Sequence, residues 1–473
     1  MKLTLKNFFK TYRWETIIFG VALALRLVLF FVNLQHNQYA LIPTIHADDG
    51  WYELSQSALR QHGFLGEVDP PFRANPLRPP LWPYLIALFA FVFQSYWAVV
   101  FIELIASACI PVFGYRLCRQ VFLGSFLADA DRVAKWVSVA MVVSPYPVLL
   151  SFLLYSETCF TFFLLLGLIF LFRFFKEQSW RMLVWSAVFL GLATLVKPTI
   201  QYVPILVPLF MLWYFWQTMT KKIIWQMLAF VLVFMAILMP WLVRNRVEFG
   251  VWGMSAQPAF NLAVYLAPTV LSIDNRTNFQ TELDAIRKRP GFDENGITLV
   301  TSKTYASEAL ATIFQHKTAL VQSVANTTIT FFTHDGMLTI LQYSGIVVPN
   351  ILTKPALWLL LHEPLTLLKA ISHYAFSPAI LILIFRILWI VITVFFLRGA
   401  YSALAQKDKN GNRSVADKKL LVLALCIVLY FMATTSINGL GVNARFRVPV
   451  EVFIFMFSFY GLFEARRTIL SKL

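Results

Sequence analysis

Charge is scarce in this chain: Asp, Glu, Lys and Arg make up 14% of its 473 residues, where a soluble domain carries about 25%. That shortage excludes an ordinary soluble enzyme. With 59% hydrophobic residues and a mean hydropathy of +0.67, the composition is that of a chain that crosses a membrane many times. Acidic charge is scarcer than basic, 24 residues against 40, for a net charge of +16. In a soluble protein this excess would suggest nucleic acid, but here the basic residues flank apolar runs, which is a topology signal. The expected partner is therefore the lipid bilayer and not nucleic acid. Cysteine is rare too. Cys109, Cys118, Cys159 and Cys426 have no CxxC spacing and lie in or beside apolar stretches, so they read as packing residues and not as a disulfide frame or zinc site. The motifs of ATP hydrolysis (GxxxxGKS or GxxxxGKT), zincin proteolysis (HExxH) and α/β-hydrolases (GxSxG) are missing. No internal repeat or heptad pattern is present.

What is present is a series of apolar runs. MKLTLKNFFKTYRWETIIFGVALALRLVLFFVNL opens with a basic lead, outlasts a signal-peptide core and is followed by no small-residue cleavage pattern, so it reads as a first membrane span. Lys2, Lys6, Lys10 and Arg13 place its start in the cytoplasm and the stretch around Asp48 outside it. Further apolar segments lie near residues 80–96, 98–115, 136–154, 158–175, 181–196, 199–216, 223–243, 377–397, 420–437 and 447–464. Several are shorter than the ~20 residues of a straight span. The expected fold is an all-α polytopic bundle of about 11 to 13 transmembrane helices. Arg173, Lys176 and Arg181, then Lys221 and Lys222, then Arg398 to Lys419, then Arg466 and Arg467 mark cytoplasmic turns. One parity conflict stands: three stretches between Pro80 and Leu154 put Glu157 opposite Asp48, so one of them is a kinked continuation or an interfacial helix.

The whole chain, 1–473, reads as one integral membrane domain. Residues 35–79 form a first extracytoplasmic loop that bears the catalytic candidates, and residues 244–350 a larger one. In the latter, Leu310, Ile313, Phe314, Val321 and Val324 recur at helical spacing, which suggests an amphipathic or partly embedded helix. Residues 351–374, broken by prolines and histidines, are one span or a re-entrant piece. Residues 398–419 hold a hydrophilic cytoplasmic linker, AQKDKNGNRSVADKK.

The residues that could carry chemistry sit at the ends of apolar runs. In HADDGWYELSQSAL, Asp48 is either the N-cap of a helix or a carboxylate base at the membrane surface, where partial desolvation suits a carboxylate to accept a proton; Asp49-Gly50 is a turn or its helper. His46, Asp48 and Asp49 are also close enough in sequence to ligate a divalent cation, against the plain reading of His46 as a loop residue. Arg78, before Pro79 and Pro80, either snorkels or holds a phosphate through its planar fork. Glu157 opens a span, as a functional carboxylate or as first-turn charge behind a Ser156 N-cap. Lys197 in LVKPT, and Arg445 and Arg447 in NARFRVPVEVFIF, are basic residues on the outer side, against the positive-inside trend. Carboxylates and cations gathered on one face are what group transfer from an anionic lipid needs. Arg26, inside the first span, fits transport best, but a buried acid or a backbone carbonyl is its preferred partner. His334-Asp335-Gly336 reads as a turn.

Taken in order, ADDGWYELSQSAL, HGF, RPPLWPYLIALF, SETCFTFFLLLGL, GLATLVKPT, PWLVRNRVEFG and ARFRVPVEVFIF resemble the polytopic GT-C glycosyltransferases. The nearest resemblance is to the bacterial branch of lipid A aminoarabinose transferases and relatives of protein O-mannosyltransferases. The resemblance implies a GT-C bundle with extracytoplasmic juxtamembrane helices. It implies inverting transfer of a hexosyl or pentosyl group from a polyprenyl-phosphate carrier to an extracytoplasmic glycolipid, lipopolysaccharide, polysaccharide or protein, with no certain cofactor. A bacterial plasma membrane is the implied location. By the same resemblance Asp48 is base or acceptor-binding group and Asp49 its acidic neighbour, while Glu157 falls on the second acidic site. Arg78, Lys197 and Arg447 then contact the lipid phosphate. The acceptor hydroxyl attacks the anomeric carbon in a single displacement, without the covalent intermediate of a retaining enzyme. One departure is the lack of a large soluble C-terminal domain, which argues against en bloc transfer of oligosaccharide to asparagine. The competing readings are a transporter or flippase of lipid-linked sugars, and a non-catalytic scaffold whose outer charges are salt bridges.

Overall fold

The computed structural model describes residues 11–45, 49–61, 63, 65–67, 73–122, 130–348, 363–375, 377–378, 380–405, 415–437 and 444–470. Helix α1 (Arg13–His36) is 24 residues long, roughly 36 Å and enough to cross the ~30 Å hydrocarbon core. It ends where Gln38 and Tyr39 take positive φ. Inside it Arg26 is buried, its Nη1 donating to Ala22 O at 3.0 Å and its Nε to Ser107 Oγ at 2.7 Å. The backbone-carbonyl partner expected for this residue is thus present.

The parity conflict between Pro80 and Leu154 is settled by helix length and break points. After α2 (Asp49–Arg60), α3 (Leu81–Phe93) is 13 residues, roughly 20 Å and too short to span. At its start Trp82 reaches Leu154 O at 3.5 Å. Just past its end, Trp97 packs edge-on against Phe30 of α1 at 5.8 Å, and the Tyr96 hydroxyl lies 3.3 Å from Ser55 Oγ of α2. Both ends of α3 therefore lie near the end of the bundle where α1 finishes, and α3 does not cross. The next crossing is α4 (Tyr96–Phe122). Helix α5 (Ala130–Val143) returns but stops early, because Pro145 and Pro147 follow Ser144 and neither has an N–H to continue the ladder. The apolar run 136–154 is therefore not one helix. Residues 145–154 are buried in the bundle, where Ser107, eleven residues into α4, donates to Pro147 O at 3.3 Å. Thr158 Oγ1 meets Leu150 O at 2.9 Å, and Leu154 N meets Ile45 O at 3.0 Å. A short helix, Pro145–Leu149, and the turns that follow it are tolerated there because the segment is enclosed in protein and bonded to its neighbours.

Helices α6 (Glu157–Glu177) and α7 (Trp180–Val196) form an antiparallel hairpin, turned at Gln178. Helix α8 (Val203–Tyr214) and α9 (Lys221–Phe249) follow. The second is longer than its apolar run and carries the chain through residues 244–249 before Gly250, at φ 73°, ends it. A small separate core then forms from α10 (Ala267–Asp274), α11 (Phe279–Arg287) and α12 (Ser302–Gln315), around Val270, Leu283, Ile286 and Ile313. The spacing Leu310, Ile313, Phe314 is split by this packing: Ile313 is buried, while Leu310, Phe314 and Val321 are exposed.

Helix α13 (Lys317–Thr333) turns back into the bundle, where Phe332 stacks on Phe396 at 5.5 Å and Thr393 donates to its carbonyl at 2.9 Å. The tip at His334-Asp335-Gly336 leads into α14 (Met337–Tyr343), after which Gly345 lies against His36. The pair is a re-entrant hairpin, and its tip is more than a surface turn. Of residues 351–374, the first half, 351–362, lies outside the described residues; α15 (Pro364–Ala375) closes that stretch. Helices α16 (Ile380–Ala405), α17 (Val415–Ile437) and α18 (Glu451–Leu470) complete the bundle. At the crossing of α16 and α18, a Cβ on Gly461 would lie 2.7 Å from Gly399 N, so only glycine allows this backbone approach. Among the described residues seven helices are long and apolar enough to cross a membrane, and three shorter apolar ones accompany them. The protein is an all-α integral membrane protein.

Candidate active site

The site is assembled where α6 begins, α7 ends and a 3-10 turn, Ala444–Val450, enters α18. Glu157 is the first residue of α6 and is 2% exposed. Ser156 makes no side-chain capping bond, so its expected role as N-cap is not realised. The carboxylate instead meets cations from two distant segments: Lys197 Nζ lies 2.6 Å and Arg445 Nε 3.7 Å from its Oε1. The helix N-terminus adds its own positive potential. Lys197 is held extended, φ −141° and ψ 125°, because Pro198 follows and disfavours helical geometry in the residue before it. Its ammonium is 5.3 Å from the Phe446 ring, and the Arg445 guanidinium lies 4.8 Å from that ring and 5.0 Å from Tyr155. Aromatic faces on both cations hold them without neutralising them. Both cations approach the same carboxylate oxygen and keep part of their side chains open, 21% for Lys197 and 25% for Arg445. Glu157 Oε2 has no hydrogen-bond partner among the described residues.

Arg78 lies on the adjoining wall. Its backbone N–H is fixed by Asn75 Oδ1 at 2.9 Å, and its guanidinium covers the Trp51 ring at 4.6 Å. It passes so close to the first turn of α2 that a Cβ on Gly50 would lie 2.6 Å from Arg78 Cζ. Gly50 thus leaves room for the guanidinium and is not only a turn residue. Trp82, one turn further on, bonds Leu154 O just before Glu157 and ties this wall to the α6 entry. Asp49 opens α2, but its side chain lies outside the described residues, as do His46 and Asp48. Among the described residues no group of three His, Cys, Asp or Glu side chains is placed to hold a metal ion.

Arg447 is not brought to this group. It is 1% exposed, stacks on Trp389 at 3.3 Å, and its two Nη atoms donate to Phe331 O and His334 O at 2.7 Å each. Its Nε is 3.5 Å from Glu451, whose other oxygen accepts from Ser144 Oγ at 2.7 Å. That guanidinium is committed to the re-entrant hairpin. Sequence reading also passed over Glu103, in α4, which is 3% exposed with neither carboxylate oxygen partnered among the described residues. Its signal was available, since an acid within FIELIASACIP is costly in a membrane.

Residues 77–243 match the family model described as dolichyl-phosphate-mannose-protein mannosyltransferase. Among solved structures, the apo oligosaccharyltransferase of Archaeoglobus fulgidus is similar with a TM-score of 0.51 at 14% identity, covering 98% of this chain and 52% of that one. The fold is the GT-C fold. The chain spans about half the length of that oligosaccharyltransferase. ArnT from Cupriavidus metallidurans, solved bound to undecaprenyl phosphate, is a more distant match at TM-score 0.37 and 14% identity, covering 95% of this chain and 78% of ArnT. Among curated proteins none matches.

Proposed function

We propose that this GT-C chain is a glycosyltransferase that moves a sugar from a polyprenyl-phosphate carrier to an acceptor, with inversion. The observation that carries the reading is the pair of partly exposed cations, Lys197 and Arg445, gathered at the buried Glu157 carboxylate. Such a group suits a phosphate that gains negative charge as its glycosyl bond breaks. The family model over residues 77–243 supports the same chemistry. Arg78 supplies a further fork for the phosphate from the adjoining wall. The acceptor oxygen bonds to the anomeric carbon as the bond from that carbon to the phosphate oxygen breaks. The acceptor proton passes to a carboxylate, assigned to Asp48 by resemblance with Asp49 beside it, and polyprenyl phosphate departs as the anion.

In this proposal the site end of the bundle is extracytoplasmic and the membrane is a bacterial plasma membrane. The opposite end supports that orientation, since it carries Arg173, Lys176, Arg181, Lys221 and Lys222 at its turns. The acceptor class is a glycolipid, polysaccharide or protein presented at that surface. Purified protein given a radiolabelled undecaprenyl-phosphate sugar and a mixed envelope extract should yield labelled acceptor. If label instead only crosses the vesicle membrane on its lipid, the chain is a flippase and the transferase reading is wrong. The divalent cation considered for His46 and Asp48 is tested by the same assay: transfer that persists in EDTA excludes it.

A further inference from the structure

Arg447 and the tip of the re-entrant hairpin explain how the active-site cation is held. Phe331 and His334 lie at the C-terminal end of α13, where helix carbonyls lack intrahelical partners and carry the negative end of the dipole. The Arg447 fork takes both carbonyls at 2.7 Å. Directly beyond, Asp335 Oδ1 accepts from Met337 N at 2.8 Å at the start of α14, and Asp335 Oδ2 accepts from Arg386 Nε of α16 at 2.6 Å. Gly336, at φ 79°, leaves room for the Tyr146 ring of the interrupted segment, and the Tyr146 hydroxyl meets Thr339 Oγ1 at 3.1 Å. Tyr146, Leu150, Ala444 and Val448 form one apolar cluster with Tyr155 packed on it, so the 3-10 turn bearing Arg445 rests on the same tip. Arg445 contacts Glu157 from this turn, and Arg447 anchors the turn to the hairpin.

We infer that Arg447 is a positioning residue: by clamping the Phe331 and His334 carbonyls, it sets the 3-10 turn that holds Arg445 beside Glu157. This rests on the proposed phosphate-binding function and replaces a direct role for Arg447 at the phosphate. A lysine there keeps the charge but cannot bridge two carbonyls and Glu451 with a planar fork.

The test is a double-mutant cycle on full-length protein in nanodiscs, with undecaprenyl phosphate as the probe and native mass spectrometry as the readout. Arg447→Lys should weaken binding ~10-fold, and Arg445→Ala by a similar factor. Together they should weaken it no more than about 2-fold beyond Arg445→Ala alone, because Arg447 acts through Arg445. Multiplicative loss, ~100-fold in the double variant, would make Arg447 an independent ligand or a general structural support and overturn the inference. Unchanged affinity in Arg447→Lys overturns it as well. If Arg447→Lys does not fold, Asp335→Asn loosens the same tip from the Arg386 side, and the same cycle with Arg445→Ala decides. Wild-type protein that does not bind undecaprenyl phosphate is a separate result, seen without any variant, that removes the phosphate reading and this inference with it.

Discussion

Arg445 and Arg447 leave the same 3-10 turn and arrive in two unlike clusters. Around Arg445, Glu157 is buried but Lys197 and Arg445 keep 21% and 25% of their side chains exposed. Around Arg447, both it and Glu451 are nearly fully enclosed at 1% and 2%, the pair is balanced, and backbone carbonyls take the remaining donors. A balanced, enclosed cluster is placed to hold structure, because every charge already has its counterpart at low solvent access. Two cations in a partly open cluster are accessible to an anion. Solvent access therefore separates a binding site from a support, although each contains an arginine beside a glutamate at a helix entry.

If that separation is right, substitutions in the two clusters should differ in stability: those around Arg447 lower the unfolding midpoint, whereas those around Arg445 lower binding and transfer with the midpoint little changed. Arg447→Ala leaves Glu451 buried without its cation and two helix-end carbonyls unmet, and should cost about 3–5 kcal/mol of stability, read as a lowered unfolding midpoint in detergent. A wild-type midpoint would refute the supporting role. Lys197→Ala should lower transfer, measured with a labelled polyprenyl-phosphate sugar, by ~100-fold or more, since one preorganised cation at developing charge is worth about 2.7–4 kcal/mol. Retained transfer would place the phosphate elsewhere. Ser144→Ala removes one bond to the Glu451 carboxylate and should cost about 1.5–3 kcal/mol of stability, with the affinity for undecaprenyl phosphate little changed. Equal losses in both assays would show the two clusters to be one unit. The smallest effect is expected at Ser156→Ala: a capping serine would contribute about 1 kcal/mol, but its side chain makes no cap bond, so the midpoint should stay within about 0.5 kcal/mol.

Much of the fold is legible in the sequence, and the places where it is not are instructive. The first apolar run is α1, and SETCFTFFLLLGL is the start of α6, because long apolar runs need no tertiary partner to be recognised. The run 136–154 misleads because hydropathy does not distinguish one lipid-facing helix from a helix broken and buried part-way; here Pro145 and Pro147 decide, and Ser107 and Thr158 supply the bonds. RPPLWPYLIALF is apolar enough for a span but lies at one end of the bundle as α3. In the site, Glu157 and Lys197 are marked by their cost at a membrane boundary, and the structure joins them across 40 residues of chain. Glu103 and Asp335 went unassigned because one sits in an ordinary-looking span and the other resembles a turn.

By itself the sequence determined that this chain lives in a membrane as helices, and which few charges stand at the ends of apolar runs. Those are properties of composition and of local order along the chain. The tertiary structure alone decided which charges meet. Arg447 finds Phe331 across 116 residues and Ser144 finds Glu451 across 307, and no local pattern encodes such a meeting. Two arginines in one short motif differ in role because a 3-10 turn sends their side chains to different neighbours, and packing then encloses one and leaves the other partly open.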